Sequence, residues 1–335
     1  MGRTVMSLLE IDRLGLRLPA KGGEEKTLLR DVSLSIAPGE SLGVVGESGS
    51  GKSLMARCVI GLTPNNSVLS GTIRFDGTRV DSLSAEKLRQ LRGNDVAMIF
   101  QDPRAHVNPV RTVEDHITEP LRFLRSMSRR AARARALELL EAVLIDDPKM
   151  VLARYPHELS GGMLQRTMIA GALAQEPRLL LADEPTTALD VTTQAEVAGI
   201  LTQLRKTYGM AMLFITHDLE LAAAICDRTT VMYSGTVVEA QRSEMLSTRP
   251  LHPYTAGLQH ARPSLTARVP RLETIPGAPM SAQDWTGGCT FADRCSYVQD
   301  RCRESRPDLV EHDVGTVACF RADELFLRSR SEPVS

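Results

Sequence analysis

Gly46-Glu47-Ser48-Gly49-Ser50-Gly51-Lys52-Ser53 fits G-x-x-x-x-G-K-[ST], the pattern of a phosphate-binding loop, and its reading decides the fold. Just before it, Ser41-Leu42-Gly43-Val44-Val45 is short, apolar and β-branched at its end, as a buried strand should be. Just after it, Leu54-Met55-Ala56-Arg57-Cys58-Val59-Ile60 is free of proline and predicts a helix. Strand, glycine-rich loop and helix form the context in which the pattern carries chemistry. The glycines let successive backbone N–H groups converge on one point and keep side chains away from it. The helix start adds unpaired N–H groups and the positive end of its dipole. Lys52 brings a full charge to the β- and γ-phosphates of a nucleotide, and the Ser53 hydroxyl can ligate Mg²⁺. A glycine-rich turn that binds nothing is the bland alternative, and the flanking strand and helix weigh against it.

Outward from this loop the composition is that of an ordinary globular chain: 335 residues, 42% hydrophobic, 24% charged, net charge −1. Near-neutral charge argues against nucleic acid as a main partner, since phosphate-backbone binding leaves a strongly basic footprint. No run approaches the roughly 18 apolar residues of a membrane span. The first ten residues hold no apolar core of signal-peptide length, and Met6 stands where a myristoylation signal wants Ser or Thr. A cytosolic protein is expected, held at a membrane only through a partner.

Upstream of the loop, residues 8–18 read as a strand, Lys21-Gly22-Gly23-Glu24-Glu25-Lys26 as a polar loop and Val32–Ile36 as a second strand. Downstream, residues 71–77 predict antiparallel sheet, 85–92 a helix, and Val96–Phe100 an apolar strand ending at Gln101. From Arg104 to about Gly171 the pattern is mostly helical. The arginine-rich start of the segment 129–145 could suggest a membrane surface, but the solvated face of a helix is the plainer explanation. Leu159-Ser160-Gly161-Gly162 opens a further apolar helix. Leu179-Leu180-Leu181-Ala182 then reads as a parallel strand covered on both faces, running into Asp183-Glu184. A helix over 194–208 follows, then a buried strand Met212–Thr216 ending at His217. Alternating strands and helices give an α/β core with a mostly parallel sheet, and 104–170 is an insertion in it.

Five elements occur in one order: the phosphate loop, Gln101, Leu159-Ser160-Gly161-Gly162, Leu180 to Glu184, and His217. Together they resemble the ATP-binding cassette (ABC) ATPase family over residues 8 to about 245. Ser160-Gly161-Gly162 is the most discriminating part, because few nucleotide-binding proteins add such a helix start just upstream of an Asp-Glu strand. The resemblance implies a P-loop NTPase cassette at 1–245 with a parallel core, an antiparallel β subdomain and the helical insertion. It implies ATP and Mg²⁺ on Gly46, Glu47, Ser48, Gly49, Ser50, Gly51, Lys52 and Ser53. Asp183, at a strand tip beside the phosphates, can hold the Mg²⁺ shell, while Glu184 can orient or deprotonate the attacking water. Such a pair can also be a structural strand end; the apolar run before it weighs against that. His217 fits the family's γ-phosphate switch, although a lone histidine is more often structural, and Gln101 by resemblance touches Mg²⁺ or water. Ser160, Gly161 and Gly162 form a second anion-binding helix end. In ABC proteins this end completes the site of the opposite subunit, with Asp190 in the loop between the two sites. Only one cassette is present, so a second must come from another chain. One departure stands out: no aromatic precedes Phe75. Leu18 or Leu16 then occupies the place of the family's adenine-stacking residue, a loss of about 1–3 kcal/mol on the base–aromatic scale.

Beyond about residue 245 the chain turns proline-rich, and Cys289, Cys295, Cys302 and Cys319 follow with spacing C-x₅-C-x₆-C-x₁₆-C. This loop-rich tail, 246–335, resembles the C-terminal extension of oligopeptide/dipeptide-type importer ATPases. In a reducing compartment such a cluster favours metal over disulfides. The absence of paired C-x₂-C knuckles favours a [4Fe–4S] cluster over zinc, with unmetallated packing or disulfides as the remaining use. His252 and His312 are available as alternative ligands, with nothing in the sequence to set them above surface residues. Cys58 and Cys226 read as small core residues. The resemblance implies an ATPase subunit of an importer for peptides or similar solutes, at the cytoplasmic face of the inner membrane. Its partners would be a related, non-identical cassette, two transmembrane permeases and, indirectly, an extracytoplasmic binding protein. The alternative is a soluble ABC ATPase of DNA repair or translation. Such proteins show two cassettes, a coiled coil or basic extensions, and none is evident here.

Overall fold

The computed structural model describes residues 7–19, 25–187, 189–261 and 274–325. An antiparallel layer comes first: β1 (Leu9–Pro19) runs back along β2 (Glu25–Ile36). β2 starts earlier than the apolar pattern predicts, because Glu25 and Lys26 pair with Pro19 and Leu18 at an exposed end that needs no apolar side chain. Residues 21–24 of the expected polar loop lie outside the described residues. β3 (Ser41–Val45) is buried throughout and feeds the phosphate loop and α1 (Lys52–Val59). β4 (Val68–Phe75) and β5 (Thr78–Arg79) return to the first layer, with Leu9 opposite Phe75 and Ile11 opposite Ile73, as expected.

After α2 (Ala85–Gln90) and a single π turn, β6 (Val96–Ile99) re-enters the main sheet. The insertion follows as α3 (Pro103–His106), α4 (Val113–Phe123), α5 (Arg129–Ala142), α6 (Pro148–Leu152) and α7 (Gly161–Leu173). On α5, Ala132, Ala136, Leu139 and Leu140 are buried, while Arg133 pairs with Glu114 and Arg135 with Glu138. Its arginines thus serve a solvated face.

β7 (Leu179–Asp183), α8 (Val191–Tyr208), β8 (Ala211–Thr216) and α9 (Leu219–Ile225) complete the α/β core. α8 begins at Val191 rather than Gln194, because the Asp190 side chain accepts from Thr193 N–H and caps it there. β9 (Arg228–Tyr233) and β10 (Thr236–Arg242) form a hairpin beyond the strands expected from the apolar pattern. Its two-residue turn, Ser234-Gly235, has φ of +48° and +77°, the left-handed pair that matches strand twist.

The tail contributes α10 (Ser243–Thr248), α11 (Pro253–His260), α12 (Asp300–Glu304), β11 (Val310–His312) and β12 (Gly315–Val317). β12 pairs antiparallel with β10, so the main sheet has the order β11-β12-β10-β9-β3-β8-β7-β6. From β6 to β9 the neighbours are parallel. The tail also shares a core with the sheet, in which Tyr233, Tyr254 and Phe291 meet with ring centroids 4.7–5.3 Å apart. Cys58 and Cys226 are buried thiols, as expected.

Candidate functional site

Four adjacent parallel strands bring the predicted residues to one edge of the sheet. The phosphate loop leaves β3, His217 follows β8, Asp183 and Glu184 end β7, and Gln101 lies just beyond β6. Gly46, Glu47, Ser48, Gly49, Lys52, Ser53, Gln101, Glu184 and His217 line one cleft of about 610 Å³, joined by Thr187. Sequence distance vanishes because parallel strands all display their C-terminal ends on the same side.

Within the cleft the loop is held closed on itself. Lys52 Nζ donates to the carbonyls of Gly46 and Glu47 at 2.7 and 2.9 Å. Its side chain is only 4% exposed, and burial lowers its pKa. Gly46 must be glycine, since a Cβ there would sit 2.1 Å from the carbonyl oxygen of Met232. Ser53 Oγ donates to Asp183 Oδ1 at 2.5 Å. Asp183 is fully buried, its other oxygen has no hydrogen-bond partner, and burial raises its pKa. A hydroxyl beside a buried carboxylate with an orphaned oxygen is a hard-oxygen donor set that fits Mg²⁺.

Glu184 is the hub. Its carboxylate accepts from Gln101 Nε2 at 2.9 Å and Thr187 Oγ1 at 2.8 Å, with Lys52 Nζ 3.9 Å away. His217 Nδ1 also stands 3.9 Å from this carboxylate. His217 first, then Thr187 and Lys52, hold the Glu184 carboxyl below its ordinary value against the effect of burial. Glu184 has φ of +46°, a left-handed conformation strained for any residue but glycine and found where a site fixes geometry.

Ser160, Gly161, Gly162 and Asp190 are not brought to this cleft. Ser160 caps α7 by accepting from Met163 N–H, and it is exposed with Gly161 and Asp190. A Cβ on Gly162 would meet Thr193 Cγ2 at 3.0 Å, so this helix end packs against the start of α8. Of the two leucines in the adenine-stacking place, Leu16 is buried in the core and Leu18 is half-buried.

The second group converges as well. Cys289, Cys295, Cys302 and Cys319 line one small cleft with His252, Phe291 and Phe320. All four are free thiols, and burial raises Cys289 to about 12, Cys319 to about 11, and Cys295 also upward. Among the described residues no three His, Cys, Asp or Glu are disposed to hold one metal ion. His252 is buried and its Nδ1 accepts from Tyr254 N–H, while His312 pairs with Asp313 and Asp323 away from the cleft.

Two residues of the site carry no local signal in the sequence. Tyr254 Oη accepts from Glu47 N–H at 2.9 Å. Arg294 grips the Glu47 carboxylate through both terminal nitrogens, at 2.6 and 3.1 Å. Pro253 at the first turn of α11 could have announced that helix. Nothing near Arg294 announces its partner.

A phosphate loop, a strand-end Asp-Glu pair, a glutamine and a histidine on successive parallel strands, with a capped serine-glycine-glycine helix beyond an insertion, define an ABC ATPase. The comparisons agree. The family described as ABC transporter matches residues 29–187, and the C-terminal region of oligopeptide/dipeptide transporters matches 238–302. A putative peptide import ATP-binding protein of Brucella abortus is 44% identical over 90% of each chain. The oligopeptide transport ATP-binding protein OppD of Escherichia coli is 39% identical over 96% of this chain and 95% of its own. The dimeric bacterial ABC transporter cassette MJ0796 superposes with a TM-score of 0.63 at 29% identity, covering 70% of this chain and 98% of its own. This chain belongs to the oligopeptide/dipeptide ABC transporter family, among its ATP-binding subunits.

Proposed function

We propose that this chain hydrolyses ATP to drive a membrane importer of peptides or related small solutes, from the cytoplasmic face of the membrane. Residues 1–245 supply the nucleotide chemistry, 104–170 the coupling insertion, and 246–335 a brace. Gly46 to Lys52 cradle the phosphates, with Lys52 leaving the loop carbonyls to meet them. Ser53, Asp183 and Gln101 are the residues that would hold Mg²⁺, which when bound neutralises phosphate charge. Glu184, kept ionised by its neighbours, takes the proton of the attacking water. His217 and Gln101 orient that carboxylate and sense the γ-phosphate.

The observation that carries this function is the separation of the two anion-binding helix ends. Ser160, Gly161 and Asp190 are exposed and lie outside the cleft of the phosphate loop, so one chain holds half of two sites. A second cassette, related and non-identical, supplies the missing half. Among the described residues no helix is long and apolar enough to cross a membrane. Permease subunits hold the pair at the membrane in this reading. Val110, Phe123 and Leu144 on the insertion are 77%, 74% and 61% exposed, apolar surface suited to such partners. Affinity purification of the tagged chain from membranes, with identification of the chains that come with it, tests this. Recovery of two permeases and a second cassette is expected; recovery of the chain alone contradicts it.

For the tail we infer a [4Fe–4S] cluster on Cys289, Cys295, Cys302 and Cys319, serving as a structural staple. A zinc ion would need all its sulfurs within about 2.3 Å of one point. A cluster takes one cysteine on each of several irons and so accepts a wider spread of thiols. Binding must displace protons from thiols that burial holds high, which the strength of thiolate–iron bonds can offset. Anaerobic purification followed by visible absorption and iron and sulfide analysis tests it; a colourless, iron-free chain refutes it.

A further inference from the structure

The second residue of the phosphate loop, Glu47, is gripped from outside the loop at both its side chain and its amide. Its carboxylate accepts two bonds from Arg294, whose side chain is 5% exposed. Its N–H donates to Tyr254 Oη, and Tyr254 is fully buried. Only its carbonyl is left to Lys52. Arg294 is itself immobilised: Nε donates to the Pro276 carbonyl at 2.8 Å and a terminal nitrogen to Tyr233 Oη at 3.3 Å. Four bonds from one nearly buried guanidinium, to Pro276, Tyr233 and both oxygens of Glu47, leave the pair well compensated. Tyr254 is wedged between Tyr233 and Phe291, and α11 is anchored by the Glu239 carboxylate, which accepts from Leu251 and His252 N–H at 2.8 and 2.9 Å. Every one of these holding groups except Tyr233 and Glu239 lies in the tail.

From this we propose that Arg294 and Tyr254 are positioning residues for the nucleotide: the tail pre-shapes the phosphate loop for ATP by clamping Glu47. This rests on the phosphate loop being the ATP site. A glycine-rich loop that must order itself on binding loses affinity to the conformational entropy it surrenders, about 1–2 kcal/mol per backbone residue fixed. Here the amide and side chain of Glu47 are fixed in advance. The Gly235 N–H also holds the Ser50 carbonyl at 3.1 Å, so the loop is pinned at two of its turns before any phosphate arrives. Arg294 closes the short 3₁₀ turn Ala292–Arg294 directly before Cys295, so the clamp and the cysteine cleft share one piece of backbone.

The test uses the full chain with ATP binding followed by titration calorimetry and the nucleotide-free melting midpoint recorded beside it. Arg294→Met and Glu47→Gln are each expected to raise the ATP Kd about tenfold, equal to about 1.4 kcal/mol. The double variant should be no weaker than either single, because both remove the same contact. Tyr254→Phe, which deletes one oxygen and leaves the aromatic packing, should raise Kd about threefold and bring no further loss in the Glu47→Gln background than in the wild type. A melting midpoint that falls while Kd stays within twofold of wild type would mean that these residues only hold the tail on, and the clamp would be refuted. Additive losses in the double variant would refute it too. If the wild type itself binds no ATP and Lys52→Ala behaves identically, the nucleotide site is wrong, a different failure from that of the clamp.

Discussion

Replacing Glu184 by Gln tests the core of the assignment. The amide keeps the size of the side chain and can still accept from Thr187 Oγ1 and Gln101 Nε2, so the fold has no reason to change. Chemistry should suffer: loss of a positioned base costs 10²–10⁴ in rate, or about 3–5 kcal/mol of barrier. Binding should move the other way. The carboxylate stands 3.9 Å from Lys52 Nζ, and at an effective dielectric of about 20 that attraction is worth roughly 4 kcal/mol before screening. Removing it frees Lys52 for the phosphates and takes one negative charge away from them. The variant should therefore bind ATP as tightly as the wild type or more tightly, while phosphate release falls at least a hundredfold. Phosphate release under saturating Mg-ATP and nucleotide affinity by calorimetry measure the two effects separately. Hydrolysis within tenfold of the wild type, or a loss of binding that accounts for the loss of rate, would refute Glu184 as the base.

Ser160→Arg, at an exposed helix end outside the chain's own cleft, should leave ATP binding intact and abolish ATP-dependent association of cassettes, read by light scattering of this chain with its co-purified partner cassette. Phe123→Ser with Val110→Ser should halve or more the recovery of permeases on affinity purification while leaving the melting midpoint within about 1 °C, since both side chains are more than two-thirds exposed. Burial raises the Glu239 carboxyl from 4.5 to about 7. The folded chain therefore keeps a proton that the unfolded chain has lost, and this contribution is complete below 4.5 and disappears as pH rises through 7, a span on the order of 3 kcal/mol. His252, lowered to about 3 by burial, works in the opposite sense below its ordinary value, so the measurement is the difference between wild type and Glu239→Gln in urea midpoints from pH 5 to 8. That difference should shrink with rising pH; a constant gap would show Glu239 ionised throughout.

Much of the cassette was legible in the chain because parallel strands covered on both faces are filled mainly by apolar side chains. Leu179–Asp183 and Ala211–Thr216 are buried along their whole length and read as apolar runs, each closed by one polar residue at its end. The glycine at 46 was equally plain, since nothing larger clears the Met232 carbonyl. The hairpin from Arg228 to Arg242 was missed although Ser234-Gly235 marks its turn, because Glu239 and Gln241 interrupt its apolar pattern. Those two residues are buried for a reason that lies elsewhere: Glu239 accepts from the Leu251 and His252 N–H groups that lead into α11, and Gln241 Nε2 donates to Glu239 and to the Arg249 carbonyl. The clamp on Glu47 was illegible for the same kind of reason. Its halves are 247 positions apart, and they meet through the packing of Phe291 against Tyr233 and Tyr254 and the bond from Arg294 Nε to the Pro276 carbonyl.

The pairing of β12 along β10 has a manufacturing consequence. A protein ended after residue 245 keeps the phosphate loop, Gln101, Glu184 and His217 but loses Leu258 and Ala261 from the wall of their cleft. It also leaves the outer flank of Glu239–Gln241 as bare amides and carbonyls beside the uncovered face of Tyr233. Open flanks of this kind recruit neighbouring chains. A shortened version chosen for its motifs alone is expected to aggregate, and the last ninety residues are best regarded as the selvedge that stops the weave from unravelling.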